Sequence, residues 1–439
     1  MKKLMIYGAT GYTGRLAAQR AAAAGTPLIL AGRNEAALAA LDASLGVAYR
    51  VFGLDDIAAI DRSLDGVGVL LNCAGPFART ADVLMRACIR HGVHYLDIAA
   101  EIDGYHLAET LDAEASAAGV MLLPGSGGSV AMLGCLAAHA VARTSNASRI
   151  RVALHVAGGL SRGSAVSAMA SVTAEPLARA GGALVARPVG ALRKLDFGSG
   201  PVDCFPVTLP DLITIWRSTG VPDIEAFVHV TGDGFPQGDL AAQPDGPSEQ
   251  ERLANRYRAV VEVTGADGAI VRSVLDTVNG YTFTAIAAAE AGRRVLAGEH
   301  RPGFQTPATL FGNGFAETIA DTTIVDVRGA QEAELVDRFI QAANAFDVDG
   351  ALALFQSGAS IDDVSVGEAF VGTDGIRRYL ERFFVGYHTA SELLSLERLD
   401  QSTVIARIDF TGDFGHEIGS LKIRSGADGL IERIDTALE

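Results

Sequence analysis

From Met1 to about Leu123, short apolar runs alternate with Ala-rich stretches of helical spacing. The runs are KLMIYG, PLILAG, YRVFGL, VGVLLNCAG, HYLDIA and VMLLPG. Between them lie GRLAAQRAAAAG, NEAALAALDASL, IAAIDRSL, TADVLMRACIRHG and AETLDAEASAAG. Strands that recur at this spacing with helices between them predict parallel crossover units, and so a doubly wound α/β sheet.

The texture changes after Gly125. IRVALHVAG (150–158) reads as a strand, and GSAVSAMASVTAEPLARAGG after it as an Ala-rich helix. AVVEVTGADGAIVRSVLDT (259–277) is two alternating runs around ADG, the pattern of a hairpin. YTFTAIAAAEAGRRVLAG reads as a helix closed by glycine, and the acidic stretch 232–251 as a long surface loop. A second, α+β domain over 125–329 follows. A third shift comes after VDVRG. EAELVDRFIQAANAFDVDGALALF and TDGIRRYLERFFVGY read as helices, and three alternating segments complete the chain. This predicts a separate α+β domain over 331–439, of ordinary domain size.

Composition narrows the function classes. The 439 residues are 49% hydrophobic and 20% charged, as in packed globular protein. A net charge of −16 speaks against nucleic acid and anionic membrane, which reward Lys and Arg clusters. No window reaches the ~18 apolar residues of a membrane span. The chain enters a strand at once, with no leader pattern. Cys73, Cys88, Cys135 and Cys204 show no CxxC or Cys/His ligand spacing. They suit free thiols in a reducing cytoplasm, with no metal.

GATGYTG follows the first strand and opens the first helix, the context in which a glycine loop is informative. Gly8 permits the sharp turn, Gly11 lets backbone N–H groups approach a pyrophosphate, and Gly14 lets helix and strand pack closely. Thr10 and Thr13 add hydroxyl donors, and Tyr12 belongs to the same loop. The second strand ends Gly32–Arg33–Asn34, with no carboxylate for a ribose 2′-hydroxyl. Arg33 suits a 2′-phosphate, so the expected cofactor is NADP(H). Asp55 falls beside the expected adenine edge or caps the next helix. Cys73, Ala74, Gly75 and Pro76 lie at the carboxyl edge where a dinucleotide crosses, or form a turn.

YGATGYTGRLAA, AGRN, LLNCAGPF and HYLDIAAE together resemble the saccharopine dehydrogenase-like family, including relatives of the trans-acting enoyl reductases. GGLSRGSAVSA, LDFGSGP, LPDLITIWRSTGVPDIEAF, GYTFTA and RPGFQTPATLFG extend the likeness over about three quarters of the chain. The resemblance implies a Rossmann-type nucleotide domain over 1–124, with residues about 300–325 returning to it, a substrate domain, and reduction of an imine, aldehyde, ketone or enoyl group. PGSGGSVAMLG (124–134) departs from the Gly-Phe-Asp-Ser-x-Pro of relatives, which leaves substrate class and proton donor open. ANAFDVDGALALF, GEAFVGTDGIRRYL and SGADGLIERI are similar to the nuclear transport factor 2-like, or SnoaL-like, fold. That fold is a cone hosting isomerases, cyclases and silent dimerisation modules, so a homodimer is expected.

Tyr95, Asp97 and Glu101 cluster at a strand end on the expected nicotinamide side. Asp97 or Glu101 suits a proton donor, while Asp97 also suits a helix cap. Ser161, Arg162 and Ser164 precede a helix, as an anion grip or a cap, and Tyr281 and Thr284 line the cleft or pack it. His155 fits a core histidine, and Trp216 a cleft wall or an anchor. In the last domain the acid–base candidates are His388, Asp413 and His416, with TGDFG also fitting a solvent-exposed turn. Three functions stand open: a reductase of a small molecule with an accessory cone, a reductase feeding a catalytic cone, and a silent nucleotide-bound scaffold.

Overall fold

The computed structural model describes residues 2–166, 176–187, 192–232, 245–327, 330–400, 402–426 and 428–439. The chain divides into two compact units, residues 1–267 with 272–326, and 268–271 with 327–439.

The first unit begins with the doubly wound sheet. Its strands are β1 (Lys3–Tyr7), β2 (Leu28–Gly32), β3 (Tyr49–Val51), β4 (Val67–Asn72), β5 (His94–Asp97) and β6 (Met121–Leu123). All pair in parallel, in the order β6-β5-β4-β1-β2-β3, and Gly303–Phe304 pairs with β6 outside them. Every residue of β2 and β4 is buried, because helices cover both faces of a parallel sheet. The order reverses between β1 and β4, where two crossovers leave in opposite directions and open a crevice at the carboxyl edge.

The same unit holds a mixed sheet of nine strands around the parallel pair Ala147–Ala157 and Asp223–Thr231. Tyr257–Gly265 and Ile270–Thr277 lie side by side as the alternating pattern predicts. The Ala-rich helix expected after residue 158 is corrected in part. Residues 162–166 are helical and 167–175 lie outside the described residues. Leu177–Ala180 and Ala183–Ala186 are a two-stranded hairpin instead. Gly181 and Gly182 turn it with positive φ, and Arg179 pairs with Ile224, so tertiary pairing overrides alanine's helix preference. Of the expected loop 232–251, residues 233–244 lie outside the described residues, and Ser248 opens a short helix, Glu249–Ala254, through a capping box.

In the second unit, six strands run in the order Glu368–Val371, Phe355–Asp363, Ile431–Leu438, Gly415–Ser425, Thr403–Gly412, Ala390–Arg398. Phe339, Phe355, Ile361, Tyr379, Phe384 and Ile434 form its core with helices Ala330–Asn344 and Gly372–Tyr379. The end of ALALF is strand, not helix, because Phe355 begins the strand that pairs with Ile431–Leu438.

Candidate active site

The glycine loop is built by close approach. Gly8 leaves β1 with φ +80°, and a Cβ there would lie 2.7 Å from the backbone nitrogen of Ala74. A Cβ on Gly14 would overlap the Gly8 carbonyl oxygen, so helix α1 (Tyr12–Ala23) starts against the loop only with glycine there. Gly11 differs. It is exposed, and a Cβ would meet only the Gly8 oxygen, at 3.3 Å. It also offers no capping side chain, so the first-turn N–H groups and the helix dipole are left to an anion.

Thr10 and Thr13 flank this point, half-buried. Tyr12 is committed elsewhere. Its hydroxyl donates to the Pro247 carbonyl at 2.5 Å and accepts from Arg252 Nη1 at 2.9 Å, and its ring stands edge-on to Tyr281 at 5.3 Å.

Arg33 is exposed directly beyond β2. Asn34 caps the helix Glu35–Leu45 by accepting from Ala37 N–H at 3.0 Å, so its side chain is occupied. Asp55 is exposed, and the cap of Ile57–Ser63 is Asp56, which accepts from Ala59 N–H at 3.1 Å. The capping alternative for Asp55 is corrected by one residue. Arg33 and Asp55 both act electrostatically on Tyr7 at the end of β1. Cys73 N–H donates to the Tyr7 carbonyl at 2.8 Å, Ala74 is half-buried, and Gly75 and Pro76 are exposed ahead of helix Phe77–His91. Burial pushes the Cys73 thiol well up, so it stays protonated.

Tyr95 and Asp97 are wholly buried. The Tyr95 hydroxyl donates to Asp97 Oδ2 at 2.9 Å and accepts from Asn72 Nδ2 at 3.2 Å. Asp97 Oδ1 accepts from the N–H groups of Ala99, at 3.0 Å, and Gly125, at 2.8 Å. Asn72 holds Thr80 and the Ala74 N–H, and Thr80 reaches the Ala74 carbonyl. Ser126 donates to the Asp97 carbonyl from both backbone and side chain. The ends of β4 and β5, Ala74, Ala99 and residues 125–126 are thereby joined in one hydrogen-bond network around Asp97. Burial pushes Asp97 up to about 6 against the pull of those donors, chiefly the Gly125 N–H. The helix-cap alternative for Asp97 is corrected: the residue preceding helix Ile102–Thr110 is Glu101. Glu101 is half-buried at the same edge, and its Oε2 accepts from Ala100 N–H at 3.0 Å. Of this trio only Glu101 reaches the surface. Asn72, Thr80 and Ser126 were missed in the sequence, although an Asn closing an apolar strand in LLNCAG is a visible signal.

Ser161 and Tyr281 meet across 120 residues, with Ser161 N–H donating to the Tyr281 hydroxyl at 2.6 Å. Ser161 Oγ also accepts from Ser164 N–H at 3.2 Å, which supports the capping alternative. Arg162 is half-buried and bonded to Asp245, which also faces Arg15 at 3.8 Å. Thr284 turns back onto the Gly280 carbonyl at 2.7 Å. His155 is half-buried and bonds Thr231 at 2.8 Å beside His229, and Trp216 carries the Arg179 guanidinium over its ring at 4.1 Å.

In the second unit, His388 pairs with Asp413 at 2.9 Å and His416 with Asp409 at 2.9 Å. His388, Asp413 and His416 keep 70%, 62% and 59% of their side chains exposed, so they stand at a solvated turn rather than inside a cone. Asp363, by contrast, is a buried carboxylate of this unit, and it accepts from Tyr379 at 2.9 Å. Burial raises its carboxyl, but hydrogen bonds from Ser365, Tyr379 and Thr436 outweigh it and leave it below the usual range. The space beside Tyr379 and Thr436 is about 10 Å³, walled by Phe339, Ile361, Phe384, Leu421 and Ile434. It has room for about one water molecule.

Among the described residues no helix is long and apolar enough to cross a membrane. Residues 4–123 match the family model of the saccharopine dehydrogenase NADP binding domain, and residues 336–429 that of the SnoaL-like domain. The first match indicates NADP(H) binding. Among solved structures, the chain is similar in fold to saccharopine dehydrogenase (L-Glu forming) from Saccharomyces cerevisiae. The identity is 12%, over 74% of this chain and 100% of that chain, with a TM-score of 0.54. An NTF2-like protein of unknown function from Cytophaga hutchinsonii matches at 13% identity, over 24% of this chain and 88% of that chain, with a TM-score of 0.22. A protein of unknown function with a cystatin-like fold from Methylobium petroleophilum matches at 18% identity, over 26% and 77%, with a TM-score of 0.24. No curated protein matches the chain.

Proposed function

We propose that this chain, which joins an NADP-binding domain of the saccharopine dehydrogenase type to a SnoaL-like domain, is an NADPH-dependent reductase of a C=O, C=N or C=C bond in a small metabolite or biosynthetic intermediate. The two matches support a dehydrogenase-family oxidoreductase with an added C-terminal domain. The observation that carries the reading is the contrast within the glycine loop. At Gly8 and Gly14 an added Cβ would run into the protein's own backbone, whereas Gly11 is exposed at a helix N-terminus, where a Cβ would meet only the Gly8 oxygen, at 3.3 Å. That cradle fits a pyrophosphate.

The bound dinucleotide supplies the hydride. The chain's own residues divide the remaining work. Gly11 and the first turn of α1 hold the phosphates, and Arg33 holds the 2′-phosphate by charge-assisted hydrogen bonds. Cys73 to Pro76 form the edge along which the nicotinamide half lies. Tyr95 and Asp97 position that edge from beneath, and Glu101 is the half-exposed carboxyl group that donates to or orients substrate. The SnoaL-like unit is accessory and serves dimerisation: its acid–base candidates His388, Asp413 and His416 stand exposed to solvent.

Three results test this. Arg33→Ala should weaken NADPH by about 10- to 100-fold while leaving NADH unchanged, read by calorimetry. Equal loss for both cofactors, or none, removes the 2′-phosphate role. Cofactor oxidation across a panel of carbonyl, imine and enoyl compounds should give a substrate on which Glu101→Gln slows turnover without weakening NADPH. No oxidation across the panel favours the scaffold reading. Expression of 1–329 and 331–439 as separate pieces should give two soluble products, the first binding NADPH. Failure of both to fold refutes their independence.

A further inference from the structure

Asp211 opens the helix Asp211–Thr219, directly after Pro210. Its side chain has 0% exposure, and among the described residues neither carboxyl oxygen has a hydrogen-bond partner from another residue. Thr214, one turn later, is 1% exposed, and its hydroxyl is also unpartnered. Residues three apart share one face of a helix, so two orphaned polar groups lie together in the interior. Buried polar groups in folded proteins are nearly always bonded to protein or to ordered water. An unpaired pair on one helical turn therefore calls for an occupant.

The surroundings say where this occupant would lie. Ile213, between the two, belongs to the same buried cluster as Tyr105 and Val130. Asp211 acts electrostatically on Tyr105. The Tyr105 hydroxyl donates to the Ala99 carbonyl at 2.6 Å and fills the space a Cβ on Gly125 would need. Ala99 and Gly125 are the residues whose N–H groups Asp97 holds. The helix that carries the orphaned pair thus shares, through Ile213, the core that lies against Tyr105.

The chemistry says what the occupant is. Among the described residues no cation bonds Asp211. The nearby Arg179 guanidinium is spent on the carbonyls of Leu212, at 2.7 Å, and Gly182, at 2.6 Å. Burial raises the carboxyl to about 7 against its own backbone N–H, so it is largely protonated in mildly acidic solution. A neutral carboxyl and a hydroxyl each donate once and accept. They complement a small molecule that does both, and not an anion. A metal ion is disfavoured too, since no group of three His, Cys, Asp or Glu is assembled among the described residues. We propose that Asp211 and Thr214 form a buried site for one small uncharged hydrogen-bonding molecule, water. A bridging water makes two to four hydrogen bonds and costs little to immobilise, so one molecule satisfies both side chains.

The test uses the full chain and needs no substrate. A high-resolution crystal structure should show one ordered water within hydrogen-bond distance of the Asp211 carboxyl and Thr214 Oγ. Density without an atom between them overturns the proposal. Thr214→Val keeps the side-chain shape and deletes the hydroxyl. It should lower the melting temperature by roughly 2–6 °C, while Thr214→Ser recovers most of the loss. A valine variant that melts at or above the wild type also overturns it, because a hydroxyl without a partner costs stability.

Discussion

Gly11→Val should fold and melt like the wild type yet bind NADPH at least about 100-fold more weakly. The separation follows from the loop's geometry. Gly11 has an extended backbone (φ −70°, ψ 166°) that any residue adopts, and an added Cβ meets nothing nearer than the Gly8 oxygen at 3.3 Å. The isopropyl group therefore points into the space a pyrophosphate needs and disturbs little else. Gly14→Val makes the opposite prediction. Its Cβ would overlap the Gly8 carbonyl, so the helix must part from the loop. Overpacking of this kind costs about 1–3 kcal/mol or more, and the variant should melt lower or not accumulate. Thermal melts and calorimetry on the two variants decide the matter. A Gly11→Val protein that binds NADPH like the wild type refutes the cradle.

Asp211→Asn should gain stability on the wild type as pH rises. In the folded chain the Asp211 carboxyl titrates near 7, above the usual 3.8. The folded state therefore keeps this proton where the unfolded state has released it. Stability from this group is fully present below about pH 4 and is lost as pH rises through 7. The amide has no such proton, so the difference between variant and wild type should grow by on the order of 3–4 kcal/mol between pH 4 and 8. Denaturant unfolding across that range measures it, and a constant difference refutes a raised Asp211. Asp97 has the same sign with a lower midpoint, about 6, because its oxygens are hydrogen-bonded. Asp97→Ala should be costly at every pH, since it strands the donors of Ala99, Gly125 and Tyr95 inside the fold.

These two carboxylates show how legibility falls from loop to interior. The glycine loop is a local pattern. Gly8, Gly11 and Gly14 lie within seven residues, and their roles follow from one strand and one helix. Asp97 was visible as a carboxylate at a strand end, but its partners are Gly125, 28 residues away, and a tyrosine on its own strand. LPDLITIW shows nothing to mark Asp211 as an orphan. Asp363 likewise sits in an ordinary SIDDVS, and only pairing with Ile431–Leu438 and the approach of Tyr379 place it inside.

The sequence by itself determined the doubly wound sheet, the cofactor loop and the nature of the last unit. These depend on periodicity and spacing over a few residues, which any backbone must express. Tertiary structure alone decided the rest. It turned 177–186 into a hairpin by pairing it to Asp223–Thr231, and it gave the cap of Ile57–Ser63 to Asp56 rather than Asp55. It also left His388, Asp413 and His416 exposed, and it enclosed Tyr95, Asp97 and Asp211. Burial is a property of what packs on a residue from distant parts of the chain. Whether a carboxylate is a solvated charge, a bonded scaffold or a neutral acid is set there, by desolvation and by which donors arrive.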